Sequence, residues 1–229
     1  MLRVVPALVV AVCLLVVSPV QAELATVKGA HGFTYSVHFP SNYDVSKQWP
    51  MVTLFHWSTG RYGSVYKLWK EIAEENGIIL AMPNSRSRMR WTRRDAKKTV
   101  SMINAVKSQF NIDPKRVYAV GYSSGANFAY RLMADNPGLF RAVAPFAGRL
   151  LASDSKLTHD DAPNTRVCIF HGRYDSIIQF KSGWSAARRL TRTGYEVRTH
   201  WLKQGHYFPK KLVPEIWRCV SGTSSHHDS

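Results

Sequence analysis

The chain has 229 residues, a formal net charge of +16 and a hydrophobic content of 45%. This length suffices for one domain with a large core, and the composition fits a compact globular protein. The positive charge favours acidic partners such as anionic polymers, anionic lipid head groups or acidic substrates. No nucleic-acid-binding module is recognisable, so no nucleic-acid partner is expected.

The first 22 residues have the pattern of a secretory signal peptide. Arg3 supplies the positive start, residues 4–17 are apolar, and small residues precede a cleavage point after Ala22. We therefore predict a secreted or periplasmic protein with no stable membrane insertion after cleavage. An uncleaved anchor is the alternative, although the apolar run is short for a membrane span.

Strands and helices are predicted to alternate along residues 23–220, ahead of a polar tail at residues 221–229. Hydrophobic patterns predict strands at residues 23–28, 33–39, 51–55, 78–82, 117–120, 140–147, 166–170 and 195–202. Helical spacing predicts helices at residues 65–76, 95–110, 126–133, 180–191 and 212–220. This alternation predicts an α/β fold: a mostly parallel, doubly wound sheet in a single domain without a large lid.

The most informative stretch is the turn Gly121-Tyr122-Ser123-Ser124-Gly125 between a predicted strand and a predicted helix. A glycine on each side permits a turn so sharp that the central serine is strained and exposed at the carboxyl edge of the sheet. We predict Ser123 as a nucleophile. The N–H of Ser124, at a helix N-terminus, is predicted to stabilise an oxyanion.

A base and an orienting acid are expected after later strands. Asp175 follows the strand at 166–170 and His206 follows the strand at 195–202, which gives the chain order Ser–Asp–His. A serine hydroxyl needs an imidazole to take its proton and a carboxylate to fix the tautomer of that imidazole. The rival bases are His56, His171 and His200. Only His206 lies in a loop after the last strand with a glycine before it, so we predict His206.

Four segments resemble the polyhydroxybutyrate depolymerase and feruloyl esterase branch of the α/β-hydrolases. They are PMVTLFHWSTG from Pro50, FNIDPKRVYAVGYSSGANFAYRLMADNPGLFRAVAPFAG from Phe110, HGRYD from His171 and GHYFP from Gly205. The resemblance spans residues 32–209 and implies an α/β-hydrolase that cleaves carboxylic esters with a Ser–Asp–His triad and without a cofactor. No metal is expected. The substrate is expected to be a small-molecule or polymer ester, and the compact chain favours a small one.

The chain departs from this family after the strand at 51–55. The family usually has His-Gly where this chain has His56-Trp57. A backbone N–H of Trp57 or Ser58 is predicted as the second oxyanion donor, since a backbone donor does not depend on the side chain.

An arginine-rich loop is predicted after the strand at 78–82, on the carboxyl edge of the sheet where Ser123 is also predicted. Arg90, Arg93 and Arg94 are predicted to attract anionic esters, with Trp91 as a stacking surface among them. A solvated loop that only aids solubility is the alternative. Tyr122, beside the nucleophile, is also predicted to contact substrate.

Two cysteines, Cys168 and Cys219, remain once the signal peptide is removed. An exported compartment permits a disulfide between them, and two buried free thiols are equally compatible with the sequence.

Two rival functions remain open beside the esterase. One is a polyanion-binding protein without activity on a hydrolase scaffold, and the other is a peptidase of the same fold.

Overall fold

A computed structural model of the chain describes residues 23–28, 33–151, 157 and 165–223. The predicted signal peptide, most of the connection at 148–165 and most of the polar tail lie outside the described residues. The strands are β1 (Glu23–Lys28), β2 (Thr34–Phe39), β3 (Trp49–Phe55), β4 (Ile79–Pro83), β5 (Ile112–Tyr122), β6 (Ala142–Phe146), β7 (Arg166–Gly172) and β8 (Glu196–Leu202). The α-helices are α1 (Tyr62–Asn76), α2 (Arg93–Gln109), α3 (Ser124–Asp135), α4 (Phe180–Arg192) and α5 (Val213–Ser221), the last preceded by a 3₁₀ turn at Lys210–Leu212.

The eight strands form one sheet in the order β1-β2-β4-β3-β5-β6-β7-β8. The pairs β1–β2 and β2–β4 are antiparallel, whereas all pairs from β4 to β8 are parallel. This confirms the predicted mostly parallel sheet. The carboxyl ends of six parallel strands therefore meet at one edge, where loops from distant parts of the chain converge.

A hydrophobic core fills each side of the sheet. On one face, α2, α3 and α4 cover the strands with residues such as Ile103, Leu132 and Leu190. On the other face, α1 and α5 contribute Trp69 and Ile216, among others. Successive strand residues point to opposite faces, so strands covered on both sides are buried throughout, as β3 and β4 are.

Several boundaries differ from the sequence prediction, and two of the differences have a visible physical cause. β5 begins at Ile112 and not at 117, because Ile112 pairs with Trp49 before the register shifts between Trp49 and Met51. Helix α2 begins at Arg93, where Thr92 and Asp95 form a reciprocal capping box. That box satisfies backbone donors at the helix start, which fixes where the preceding loop ends.

A disulfide joins Cys168 in β7 to Cys219 in α5, across a sequence separation of 51 residues. The pairing that the sequence left open is therefore present in the structure. It ties the closing helix to the sheet. Among the described residues, no helix has both the length and the apolar character needed to cross a membrane.

Candidate active site

Three loops at the carboxyl edge bring Ser123, Asp175 and His206 together, as the sequence predicts. Ser123 follows β5, Asp175 follows β7 and His206 follows β8. The imidazole of His206 lies between the other two side chains. Its Nε2 is 3.0 Å from Ser123 Oγ, and its Nδ1 is 2.7 Å from Asp175 Oδ2.

The turn at Ser123 has the strained geometry that the two glycines predict. Ser123 has φ 56° and ψ −115°, a conformation that costs a non-glycine residue free energy. A Cβ on Gly121 would collide with the carbonyl of Gly125, and a Cβ on Gly125 would collide with the carbonyl of Phe55. The Ser123 N–H donates to Phe146 O at 2.9 Å, which holds the turn against β6.

Backbone N–H groups hold the carboxylate of Asp175 by the oxygen that does not contact His206. The N–H groups of Ile177 and Ile178 donate to Oδ1 at 2.9 and 2.8 Å, and the side chain is fully buried. Oδ2 is left for His206. A carboxylate only accepts hydrogen bonds, so His206 Nδ1 carries the proton and Nε2 can accept one from the Ser123 hydroxyl.

Tyr122 supports the histidine. Its hydroxyl donates to the backbone carbonyl of His206 at 3.1 Å, and its ring contacts Trp57 and Phe208. Burial, together with the negative charge of Asp175, raises the pKa of Tyr122 to about 12. The phenol therefore stays protonated and remains a donor at neutral pH. Contact between Tyr122 and substrate stays a prediction.

The predicted oxyanion donors lie at two backbone segments. Ser124 is the first residue of α3, where N–H groups are free of intrahelical partners. Trp57 and Ser58 lie in the turn after β3, whose one left-handed residue is Thr59 with φ 66°. The glycine that the family usually has is therefore not required at Trp57, since that residue has no positive φ.

The rival histidines are engaged elsewhere. His56 Nδ1 donates to Trp57 O at 2.8 Å and its Nε2 accepts from the Ser85 N–H at 3.2 Å, while burial lowers the pKa of His56. His200 pairs with Glu215 at 2.7 Å and stacks on Phe170. Neither is bonded to Ser123.

The arginine-rich loop packs against the turn that carries Trp57 and Ser58. Ser58 Oγ donates to Met89 O at 2.8 Å, and the Thr59 N–H donates to Arg88 O. The exposed arginines of this loop and of the helix start that follows it are Arg86, Arg88, Arg90, Arg93 and Arg94.

Trp91 is not the surface residue that the sequence predicts. It is 7% exposed, stacks on Phe128 with ring centroids 4.5 Å apart, and donates from Nε1 to His56 O at 2.9 Å. Trp91 thus anchors the loop to the core and offers no stacking surface. Met89 is the exposed large apolar residue of the loop, and no sequence pattern distinguished the two in advance.

No group of three or more His, Cys, Asp or Glu side chains within the described part of the chain is placed to hold a metal ion.

A mostly parallel sheet with a serine on a strained strand–helix turn, followed by an acid and a histidine after later strands, defines the α/β-hydrolase class. Within that class, the chain belongs to the dienelactone hydrolase family, whose model matches residues 72–216.

The chain is also similar to individual esterases. It is 25% identical over 178 residues to a probable feruloyl esterase C of Aspergillus terreus, across 72% of this chain and 63% of that protein. It is 29% identical over 119 residues to a bifunctional acetylxylan esterase/xylanase of Neocallimastix patriciarum, across 49% of this chain and 17% of that protein. The resemblance to feruloyl esterases is thus confirmed, whereas the polyhydroxybutyrate depolymerase resemblance stays a prediction. The chain spans less than two thirds of these relatives.

The fold matches solved esterases at low identity. An acetyl xylan esterase from Aspergillus awamori superposes with a TM-score of 0.69 at 16% identity, over 83% of this chain and 97% of that one. A carboxylesterase from Mesorhizobium loti superposes with a TM-score of 0.69 at 18% identity, over 86% of this chain and 99% of that one. These likenesses establish the fold.

Gly125→Ala tests whether the close approach of α3 to β3 holds the turn. The added Cβ collides with backbone, which cannot move as a side-chain tip can, so we expect the free energy of unfolding to fall by about 1–3 kcal/mol or more. Gly63→Ala is the control, because a Cβ at Gly63 meets nothing within 4 Å. Chemical denaturation measures both variants. Equal free energies of unfolding for Gly125→Ala and Gly63→Ala would contradict the role of this close approach.

Proposed function

We propose that this protein is a serine esterase that hydrolyses carboxylic esters through an acyl-enzyme. The observation that carries the proposal is the continuous hydrogen-bonded chain from Ser123 through His206 to Asp175. Membership in the dienelactone hydrolase family and similarity to proteins named feruloyl and acetylxylan esterases support it.

In the proposed acylation step, Ser123 Oγ attacks the carbonyl carbon of the ester and its proton passes to His206 Nε2. The carbonyl oxygen becomes an oxyanion, which the N–H of Ser124 and that of Trp57 or Ser58 stabilise. The bond to the alcohol oxygen then breaks, and His206 gives its proton to the leaving alcohol. Asp175 stabilises the imidazolium while it exists.

Deacylation repeats these steps with water. His206 Nε2 takes a proton from a water molecule as its oxygen attacks the acyl carbon. Collapse of the second oxyanion breaks the bond to Ser123 Oγ, which recovers its proton from His206. The products are one carboxylic acid and one alcohol, and the enzyme returns to its starting protonation state.

The side chains of the proposed triad give the first functional test. Ser123→Ala should abolish both ester hydrolysis and labelling by a fluorophosphonate, and His206→Ala should be nearly as severe because the residues act as a unit. Asp175→Asn should lower kcat by roughly 10²–10⁴, since the amide favours the wrong imidazole tautomer. Ser124→Ala is the matched control, because it removes a neighbouring hydroxyl and keeps the backbone N–H.

A folded wild-type protein that fails to label would contradict the esterase proposal. Binding of polyanions by such an unreactive protein would favour a binding role on a hydrolase scaffold. Faster cleavage of peptides than of esters would favour a peptidase.

We also propose that the arginine-rich loop attracts esters carried on anionic molecules. The proposal is supported by two observations: the backbone of the loop contacts the turn of Trp57 and Ser58, and five arginines of the loop and the following helix start are exposed. Such a field raises the local concentration of anions and acts on encounter more than on the chemical step.

Salt dependence tests this electrostatic role. For matched anionic and neutral esters, kcat/KM of the anionic ester should fall as the Debye length shrinks from roughly 10 Å at 0.1 M salt to about 3 Å at 1 M, with kcat little changed. Changing Arg90, Arg93 and Arg94 to Gln should weaken this preference, because three of the five exposed arginines lose their charge. Changing Lys47, just before β3, and Lys115, near the start of β5, to Gln is the control, because both cations are exposed and lie at the amino-terminal ends of the strands. Equal salt dependence of the two esters would leave the arginines as surface charge only.

Export is the remaining part of the proposal. The signal-peptide pattern of residues 1–22 and the Cys168–Cys219 disulfide both indicate an oxidising compartment.

The intact mass of the exported protein should correspond to a chain that begins at Glu23 and is two hydrogens lighter than its reduced form. Replacing both Cys168 and Cys219 by Ser should lower the free energy of unfolding by about 2–4 kcal/mol, because the bridge closes a long loop of the unfolded chain. Wild type in a reducing agent should lose a similar amount. Two titratable thiols in the unfolded, unreduced protein would rule out the bridge.

A further inference from the structure

His171 is a buried histidine with no part in the proposed chemistry. It lies near the end of β7, is 0% exposed and contacts the turn that carries Asp175. Its Nε2 is 2.7 Å from the carbonyl oxygen of Ile178 and 3.5 Å from Asp175 Oδ2. On the other side α4 packs so closely that a Cβ on Gly183 would come within 2.6 Å of Nδ1.

The contacts of His171 define its protonation. A carbonyl oxygen only accepts, so Nε2 carries the proton, and Nδ1 has no hydrogen-bond partner among the described residues. Burial lowers the pKa of His171 and outweighs the opposing effects of the hydrogen bond to Ile178 and the charge of Asp175; the charge on His206 lowers the pKa further. His171 is therefore a neutral donor at the pH where an esterase works.

The bond from His171 reaches Asp175 through the backbone of a single residue, Ile178. Ile178 accepts from His171 Nε2 with its carbonyl oxygen and donates from its N–H to Asp175 Oδ1 at 2.8 Å. The turn is thus tied to β7 at the residue that fixes one carboxylate oxygen. The other oxygen is the one that contacts His206.

We propose that His171 is a positioning residue for Asp175: its Nε2–H clamps the turn at Ile178, so that Asp175 Oδ2 stays aligned with His206 Nδ1. The proposal rests on the proposed esterase function, because alignment of Asp175 matters to catalysis only if His206 is the base. Without the clamp the turn can relax and the carboxylate can rotate away.

The test compares substitutions that keep or lose the donor at this position. His171→Gln can place an amide N–H near the position of Nε2, whereas His171→Leu removes the donor and leaves the Ile178 carbonyl buried without a partner. We expect His171→Leu to lower kcat on the order of 10- to 100-fold, the equivalent of one lost buried hydrogen bond, with KM unchanged. His171→Gln should retain most of kcat.

A spectroscopic signal separates positioning from packing. The low-field proton resonance of the short His206 Nδ1–H hydrogen bond to Asp175 should persist in wild type and in His171→Gln, and broaden or vanish in His171→Leu. Leu190→Ala is the matched control, since this buried α4 residue packs on the same face of the sheet. It should lower Tm without changing kcat or the resonance.

His171→Leu with full kcat and an unchanged resonance would overturn the proposal. If His171→Leu does not fold, His171→Asn takes its place in the comparison. The shorter Asn amide reaches the position of Nδ1, which has no hydrogen-bond partner among the described residues, and not that of Nε2, which donates to Ile178. Equal kcat and equal resonance of the Asn and Gln variants would then overturn the proposal. The resonance needs no turnover, so failure of the esterase proposal is recognised separately, by a wild-type protein that does not react with a fluorophosphonate.

Discussion

The site depends on the close contact between the start of α3 and the end of β3. Gly125 lies directly on the carbonyl of Phe55, and Gly121 lies on the carbonyl of Gly125. No side chain larger than hydrogen fits at either position, and this backbone packing is what holds Ser123 at a positive φ. The same contact brings the start of α3 against the backbone of Phe55 and His56, at the point where β3 ends. The strained backbone conformation of Ser123 is thus stabilised by the packing of α3 on β3.

The acid and the histidine are held by a different principle. Each lies on a loop whose position is fixed by hydrogen bonds to backbone groups: Asp175 by the Ile177 and Ile178 N–H groups, His206 by the Tyr122 hydroxyl acting on its carbonyl. Loops on a parallel sheet can vary in length and sequence without disturbing the strands beneath them. Hydrogen bonds to backbone groups are therefore what keep the three side chains in reach of one another.

Sequence alone predicted the sheet, both faces of helices and the residues that converge at Ser123. This was possible because a glycine-flanked serine between a strand and a helix is a local signal, and because parallel strands place their ends at one edge. The burial of Trp91 was not predictable in the same way. An aromatic residue among arginines has the composition of a surface loop, whereas the burial of Trp91 depends on non-local contacts with Phe55, Phe128 and His56. The start of β5 was also missed, because Asp113 and Pro114 are typical of a turn and the pairing of Ile112 with Trp49 is not local.

The arginines at the start of α2 lower the stability of that helix. Arg93 and Arg94 occupy the first turn of this helix, where the backbone dipole already presents positive charge. Each such charge destabilises the helix by about 0.3–1 kcal/mol, and the capping box of Thr92 and Asp95 stabilises it by a similar amount. Acidic residues at these two positions would give a more heat-resistant protein with a less positive surface at the start of α2. Thermal tolerance and a high positive charge are therefore in direct competition at this one turn of helix.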